Sequence, residues 1–98
     1  MSAYFVKNPD SALDFTFDWG FQFLEPGEQI ETDLGWSVTP DTAADGGLAV
    51  TDSAQTFTTT TAILGAGRAG EAYLVQSRIR TDRGREIQRA LTIRVANV

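Results

Sequence analysis

The sequence predicts an all-β chain, an immunoglobulin-like antiparallel β-sandwich of about seven strands, and three observations carry that expectation. Apolar residues recur with period two along most of the chain, while a helical period is hard to find. β-Branched residues cluster, as in the four threonines 58–61, which suit a strand and disfavour a helix. Glycine, proline and aspartate break the pattern at intervals of about 8 to 12 residues, the spacing of a sandwich. With 98 residues the chain has room for one domain, and residues 1–12 read as an extended N-terminal arm ahead of a sandwich over 13–98.

In chain order, the arm carries Tyr4, Phe5 and Val6, shows no alternation, and ends in the turn Asn8-Pro9-Asp10. Leu13, Phe15, Phe17 and Trp19 then alternate with Asp14, Thr16 and Asp18, which sends four large apolar side chains to one face of a strand. Gly20 interrupts, and Phe21 to Leu24 is expected to continue extended as far as Glu25-Pro26-Gly27-Glu28, a type II turn with Pro second and Gly third. A brief strand at 29–32 and another around Leu34, Trp36 and Val38 follow, the second ended by Pro40. Residues 41–47 are a small, polar loop, 48–51 a strand, and 55–64 a threonine-rich strand with Phe57, Thr59, Thr61 and Ile63 on one parity.

After the glycine-punctuated turn 65–71, Tyr73, Val75, Ser77 and Ile79 lie opposite Leu74, Gln76, Arg78 and Arg80 on a strand. The turn Asp82-Arg83-Gly84-Arg85 leads to a last strand in which Ile87, Leu91, Ile93 and Val95 share parity. Arg89 is the misfit because it shares the parity of Ile87 and Leu91, so its stem is expected to be buried and its guanidinium to reach the rim or an acid. Trp19 and Trp36 are the expected core anchors.

Composition argues against catalysis. The chain has neither cysteine nor histidine, which removes disulfides, thiolate metal sites, thiol nucleophiles, the commonest general base and every Ser-His-Asp arrangement. No basic segment followed by an apolar core of a secretion signal precedes residue 10, and no run approaches the roughly 18 apolar residues of a membrane helix, so a soluble product is expected.

Net charge is −5 and unevenly spread: residues 1–52 carry Lys7 against ten acids, and residues 53–98 carry seven arginines against Glu71, Asp82 and Glu86. If the two sets project from different ends or sheets, the domain is dipolar and suited to stacking on copies of itself or on an oppositely charged neighbour.

Candidate chemical motifs have stronger structural readings. Gly65, Gly67 and Gly70 match the spacing of a dinucleotide fingerprint, but a strand rather than a helix follows them. Asp41, Asp45 and Asp52 lack the spacing of a calcium loop. The pairs Asp14 with Asp18 and Glu28 with Glu31 read as outward strand and turn charge rather than a glycosidase dyad. Arg78, Arg80, Arg83 and Arg85 form a cationic hairpin for which an acidic protein suits better than nucleic acid, given a pI near 4.4. No catalytic, cofactor-binding or metal residues are expected.

Several stretches together resemble a known family. They are Lys7-Asn8-Pro9-Asp10, Leu13-Asp14-Phe15, Phe17-Asp18-Trp19, the run from Phe23 to Ile30, Trp36-Ser37-Val38, Tyr73-Leu74-Val75, Thr81-Asp82-Arg83-Gly84-Arg85 and the closing Arg89 to Val95. In this order the chain resembles small tailed-bacteriophage structural proteins of the fibre-tail adaptor-like type. It departs from them at Gly20-Phe21-Gln22-Phe23, where a second tryptophan is more usual, and in a longer loop at 41–47.

The resemblance implies a non-enzymatic virion structural protein of the tail or neck, made in the host cytoplasm. Such a protein would contact other tail, baseplate or neck proteins and form a homo-oligomer in the virion, with no nucleic acid, membrane, small-molecule substrate or cofactor. The residues expected to carry assembly are Tyr4, Phe5 and Val6 of the arm and Arg78, Arg80, Arg83 and Arg85 of the hairpin. Alternative readings of the same fold are a carbohydrate- or host-surface-binding module with Trp36 in contact, a head-tail connector, or a capsid decoration protein.

Overall fold

Period-two alternation produces strands here, and a computed structural model, which describes residues 3–20 and 22–97, shows how they layer. The strands are β1 (Ala3–Lys7), β2 (Leu13–Asp18), β3 (Ile30–Thr39), β4 (Ala49–Gln55), β5 (Thr59–Gly65), β6 (Ala72–Thr81) and β7 (Glu86–Val95), with a 3-10 turn at Ala43–Asp45. They form a four-stranded sheet in the order β1-β7-β6-β3 and a three-stranded sheet in the order β2-β5-β4, packed as a sandwich.

All pairings are antiparallel except that β1 runs parallel to β7, from Ala3 opposite Leu91 to Lys7 opposite Val95. This corrects the uniformly antiparallel expectation and gives residues 3–7 a place within the sheet. The absence of alternation there has a physical cause. Tyr4 and Val6 point outward and are 59% and 48% exposed, while the inward Lys7 is 1% exposed, so the polarity of the segment is inverted relative to an ordinary strand. Lys7 is accommodated because its ammonium donates to the Ala66 carbonyl at 2.6 Å and the Asn8 carbonyl at 2.8 Å.

The buried faces meet in a core that includes Trp19, Leu64, Tyr73, Val75, Ile79 and Ile93. On β5 the core-facing parity is Thr60, Ala62 and Leu64, and the opposite parity faces outward. A polar link crosses the core. Thr60 of the three-stranded sheet and Ser77 of the four-stranded sheet share a hydrogen bond of 2.9 Å, and the Trp19 indole N–H donates to the Thr60 hydroxyl at 3.0 Å. Thr60 and Ser77 are both fully buried, so each must be satisfied within the protein.

Four expected strands are drawn differently. Phe21, placed by the sequence in an extension of β2, lies outside the described residues, and Gln22 to Leu24 form a turn. The reason is local: the Asp18 carboxylate accepts the Gly20 N–H at 3.0 Å, and the Trp19 carbonyl accepts the N–H groups of Phe23 and Leu24. The two brief strands expected between 29 and 39 are one ten-residue strand, β3, whose pairing with β6 shifts register twice. One shift falls where Asp33 accepts the Gly35 N–H at 2.8 Å.

The strand expected over 55–64 is split. Thr56 bonds locally, its hydroxyl accepting the N–H groups of Thr58 and Thr59, so Phe57 sits in a turn and is 67% exposed. The turn at Glu25-Pro26-Gly27-Glu28 has the geometry its sequence demands: Gly27 has φ +79° and the Glu28 N–H bonds the Glu25 carbonyl at 2.9 Å.

Thr60→Val should lower stability by about 1–3 kcal/mol, because it leaves the Trp19 N–H and the Ser77 hydroxyl without their buried partner. Adding Ser77→Ala should recover part of that loss. Urea unfolding of the two variants beside wild type measures both effects, and additive losses would contradict a shared link.

Candidate functional site

The seven residues assigned to assembly fall into three settings. Tyr4 and Val6 face outward on β1, with Thr92 and Arg94 of β7 beside them. Across β7, Thr92 neighbours Leu74 of β6, itself 38% exposed, so Tyr4, Val6 and Leu74 form an exposed apolar group on the outer face of the four-stranded sheet. Arg78 and Arg80 lie further along the same face, both bonded to Glu86 of β7 at 3.1 and 3.0 Å. These ion pairs are about half exposed and contribute little to stability, which leaves the arginines available to a partner.

Phe5 turns the other way. Its ring meets Phe15 of the three-stranded sheet edge-on, with centroids 5.2 Å apart, and closes that side of the sandwich while remaining 43% exposed.

Arg83 and Arg85 belong to the β6–β7 turn and are engaged inside the molecule. Arg83 donates to the Pro26 carbonyl at 2.8 Å. Arg85 bonds both oxygens of Glu28, with Nε at 3.0 Å and Nη2 at 2.5 Å, and also donates to the Phe23 carbonyl at 2.8 Å. The structure therefore brings Tyr4, Val6, Arg78 and Arg80 to one face and assigns Arg83 and Arg85 to tying down the 23–28 segment.

That segment holds the principal correction among the charged residues. Glu28, expected as outward turn charge, is 4% exposed, whereas Glu31 is exposed as expected. The β6–β7 turn folds over it, and side-chain hydrogen bonds from Arg85 and then Thr81, with the Glu25 N–H, hold its carboxyl down at about 2.

Arg89 has a partly buried side chain whose guanidinium reaches the exposed end of β2, where it bonds the backbone of Asp18. It lies 4.4 Å from the Phe23 ring centroid, 4.8 Å from that of Phe17 and 5.6 Å from that of Trp19, and donates to the Asp18 backbone carbonyl at 2.8 Å. Burial lowers its pKa, an effect opposed by the Asp18 charge.

At the opposite end of the sandwich the buried Lys7 holds the loop after β5. Burial lowers its pKa too, against the pull of Asp10. In the same loop Gly67, at φ +102°, packs so tightly that a Cβ would come within 2.6 Å of Val95. The spacing of Gly65, Gly67 and Gly70 serves this loop, which leads into β6. Among the described residues no three metal-ligating side chains gather.

Lys7 and Glu28 were the residues whose roles the sequence hid. Lys7 had one signal, as the lone base among the first 52 residues; Glu28 had none, because its partner lies 57 residues away.

The two broad faces differ in charge. Strands β2, β4 and β5 contain no lysine or arginine, and their outer face presents Asp14, Asp18 and Asp52 around Thr16, Thr59, Thr61, Ile63 and Ala54. The outer sides of β6 and β7 present Arg78, Arg80 and Arg94 against Glu86. Between the edges of β3 and β4 there is also an open cleft of about 270 Å³ lined by Trp36, Val38, Asp41, Leu48 and Val50. Trp36 is half-buried, stacked on Phe17 with centroids 5.5 Å apart, and its indole N–H has no partner among the described residues.

Residues 7–94 match a family described as podophage GP4 fiber-tail adaptor protein gp77. No curated protein matches the chain.

The Glu28 pairing has a pH signature. A carboxyl held at about 2 in the folded state, against roughly 4.3 unfolded, adds stability that is complete above the unfolded value and is lost as pH falls toward 2. Urea unfolding at neutral pH and near pH 3 should show wild type losing more stability on acidification than Glu28→Gln. Equal losses would mean that Glu28 is not held by Arg85 in solution.

Proposed function

The chain belongs to the podophage fibre-tail adaptor family, a structural component of the phage tail, and from that premise we propose that it works without catalysis, by protein–protein assembly alone. The match over residues 7–94 carries this reading. The absence of histidine and cysteine supports it, since the usual nucleophile and base pairings have no members here.

The strand order supports an immunoglobulin-like reading of the sandwich. With β2 to β7 taken as strands B to G, one sheet is B-E-D and the other G-F-C, as in a constant-type domain, and the first strand has moved from the edge beside B to the edge beside G. That placement puts Tyr4 and Val6 on an exposed sheet face and leaves the outer edge of β1 open. In this proposal the first strand docks on the next subunit of a homo-oligomer in the tail, and the assembled protein contacts fibre, baseplate or neck proteins. Synthesis in the host cytoplasm is part of the same proposal.

Co-sedimentation of the purified protein with tail and fibre proteins of its phage tests the adaptor role, and binding to both is expected. Binding to neither would sink it. Deleting residues 1–8 is too blunt, since it removes β1 and the buried Lys7. Tyr4→Ser with Val6→Ser changes only exposed side chains, so stability should stay within about 0.5 kcal/mol of wild type while assembly is lost. Unchanged assembly in that variant would remove the first strand from the interface.

A further inference from the structure

We propose that the outer face of the three-stranded sheet is the docking surface for a second copy of this chain, which seats there through the outer face of its four-stranded sheet. This rests on the reading of the protein as a self-assembling adaptor and names both halves of the contact.

Three properties of the two faces fit one another. The first is charge: one face presents Asp14, Asp18 and Asp52 from strands that hold no base, and β6 and β7 of the other present Arg78, Arg80 and Arg94, with Glu86 bonded to the first two. Apposed copies place opposite charges together, whereas two like faces repel, so the arrangement selects head-to-tail pairing.

The second is apolar content. The acidic face has a shallow depression lined by Asp52, Ser53, Ala54, Thr61 and Ile63, and the basic face projects Tyr4, Val6 and Leu74, which are 59%, 48% and 38% exposed. Burial of these side chains supplies an attraction that salt does not screen.

The third is the ease of desolvation. Thr16 and Thr61 satisfy each other across β2 and β5 at 2.8 Å, and Thr51 donates to the Ile63 carbonyl at 3.3 Å, so the hydroxyls of these three threonines already have partners.

The area is sufficient. The Cα atoms extend over 42 × 23 × 18 Å, and a broad face of that size can supply the roughly 800 Å² per partner of a specific interface. Because the two faces differ, the contact is heterologous and leaves a free face of each kind at the ends of any open assembly, which closes only as a ring.

Reciprocal charge reversal tests the contact. One variant carries Asp14→Lys and Asp52→Lys, the other Arg78→Glu and Arg94→Glu; all four positions are exposed, and circular dichroism checks that both fold. In sedimentation velocity, wild type should associate reversibly at low salt and less so at high salt. Each variant alone should lose association, and an equimolar mixture should regain it as assemblies in which the two variants alternate, because both contacts between them join opposite charges.

A wild type that is monomeric at every concentration in low salt overturns the proposal. So does association that survives in either variant, or a mixture that does not pair. Tail proteins that still bind a monomeric wild type would overturn this contact alone. Charge-dependent self-association without tail binding would overturn the adaptor role and leave the contact standing.

Discussion

Trp19 is the constraint on which the rest of the sandwich depends. Its indole is fully buried and donates to Thr60, which in turn bonds Ser77 of the opposite sheet, so one side chain sets the polar link between the layers. Its backbone ends β2: the N–H donates to the Thr58 carbonyl, and the carbonyl accepts Phe23 and Leu24, which turns the chain across the end of the sandwich. Its ring also meets Phe17 and Phe23 and forms part of the aromatic enclosure around the Arg89 guanidinium. A partly buried arginine is tolerable there because the ring faces and the Asp18 carbonyl replace part of the water it gave up.

The two ends of the sandwich are closed by charged side chains bonded within the molecule, of which Glu28 and Lys7 are buried. At one end Arg85 and Glu28 fasten the 23–28 turn to the β6–β7 turn; at the other Lys7 fastens β1 to the loop after β5, and Arg68 bonds the Asp45 carbonyl in the neighbouring loop. Removing either member of the Arg85–Glu28 pair leaves the other without its partner, which makes such groups costly to lose even where their net contribution is small. A small domain without disulfides gains definition at its ends this way, and its broad faces stay free for neighbours.

Most of the β architecture was legible because burial leaves a period-two imprint wherever one face of a strand meets the core. β6 reads cleanly for that reason, with Tyr73, Val75, Ser77 and Ile79 all buried. β1 was illegible as a strand because its exposed side is apolar and its buried side holds a lysine. The break at Phe57 was hidden because threonine serves both a strand and a turn, and the choice lay with the hydroxyl of Thr56. Of the proposed assembly residues, the apolar character of Tyr4 and Val6 and the charge of Arg78 and Arg80 could be read in the sequence. Their presence on one face could not, since it follows from β1 pairing with β7 and β7 with β6.

The sequence by itself determined the fold class, the type II turn at Pro26-Gly27, the absence of the usual catalytic residue types, the likeness to tail adaptors and the division of charge between two halves of the chain. These depend on local geometry and on which side chains exist at all. Only the tertiary structure decided that the acids of β2 and β4 share one face while the arginines of β6 and β7 share the other, that Arg85 is matched to Glu28, and that Lys7 is buried. Each of these joins residues far apart in sequence, and the match is set by sheet order, register and the enclosure of one turn by another.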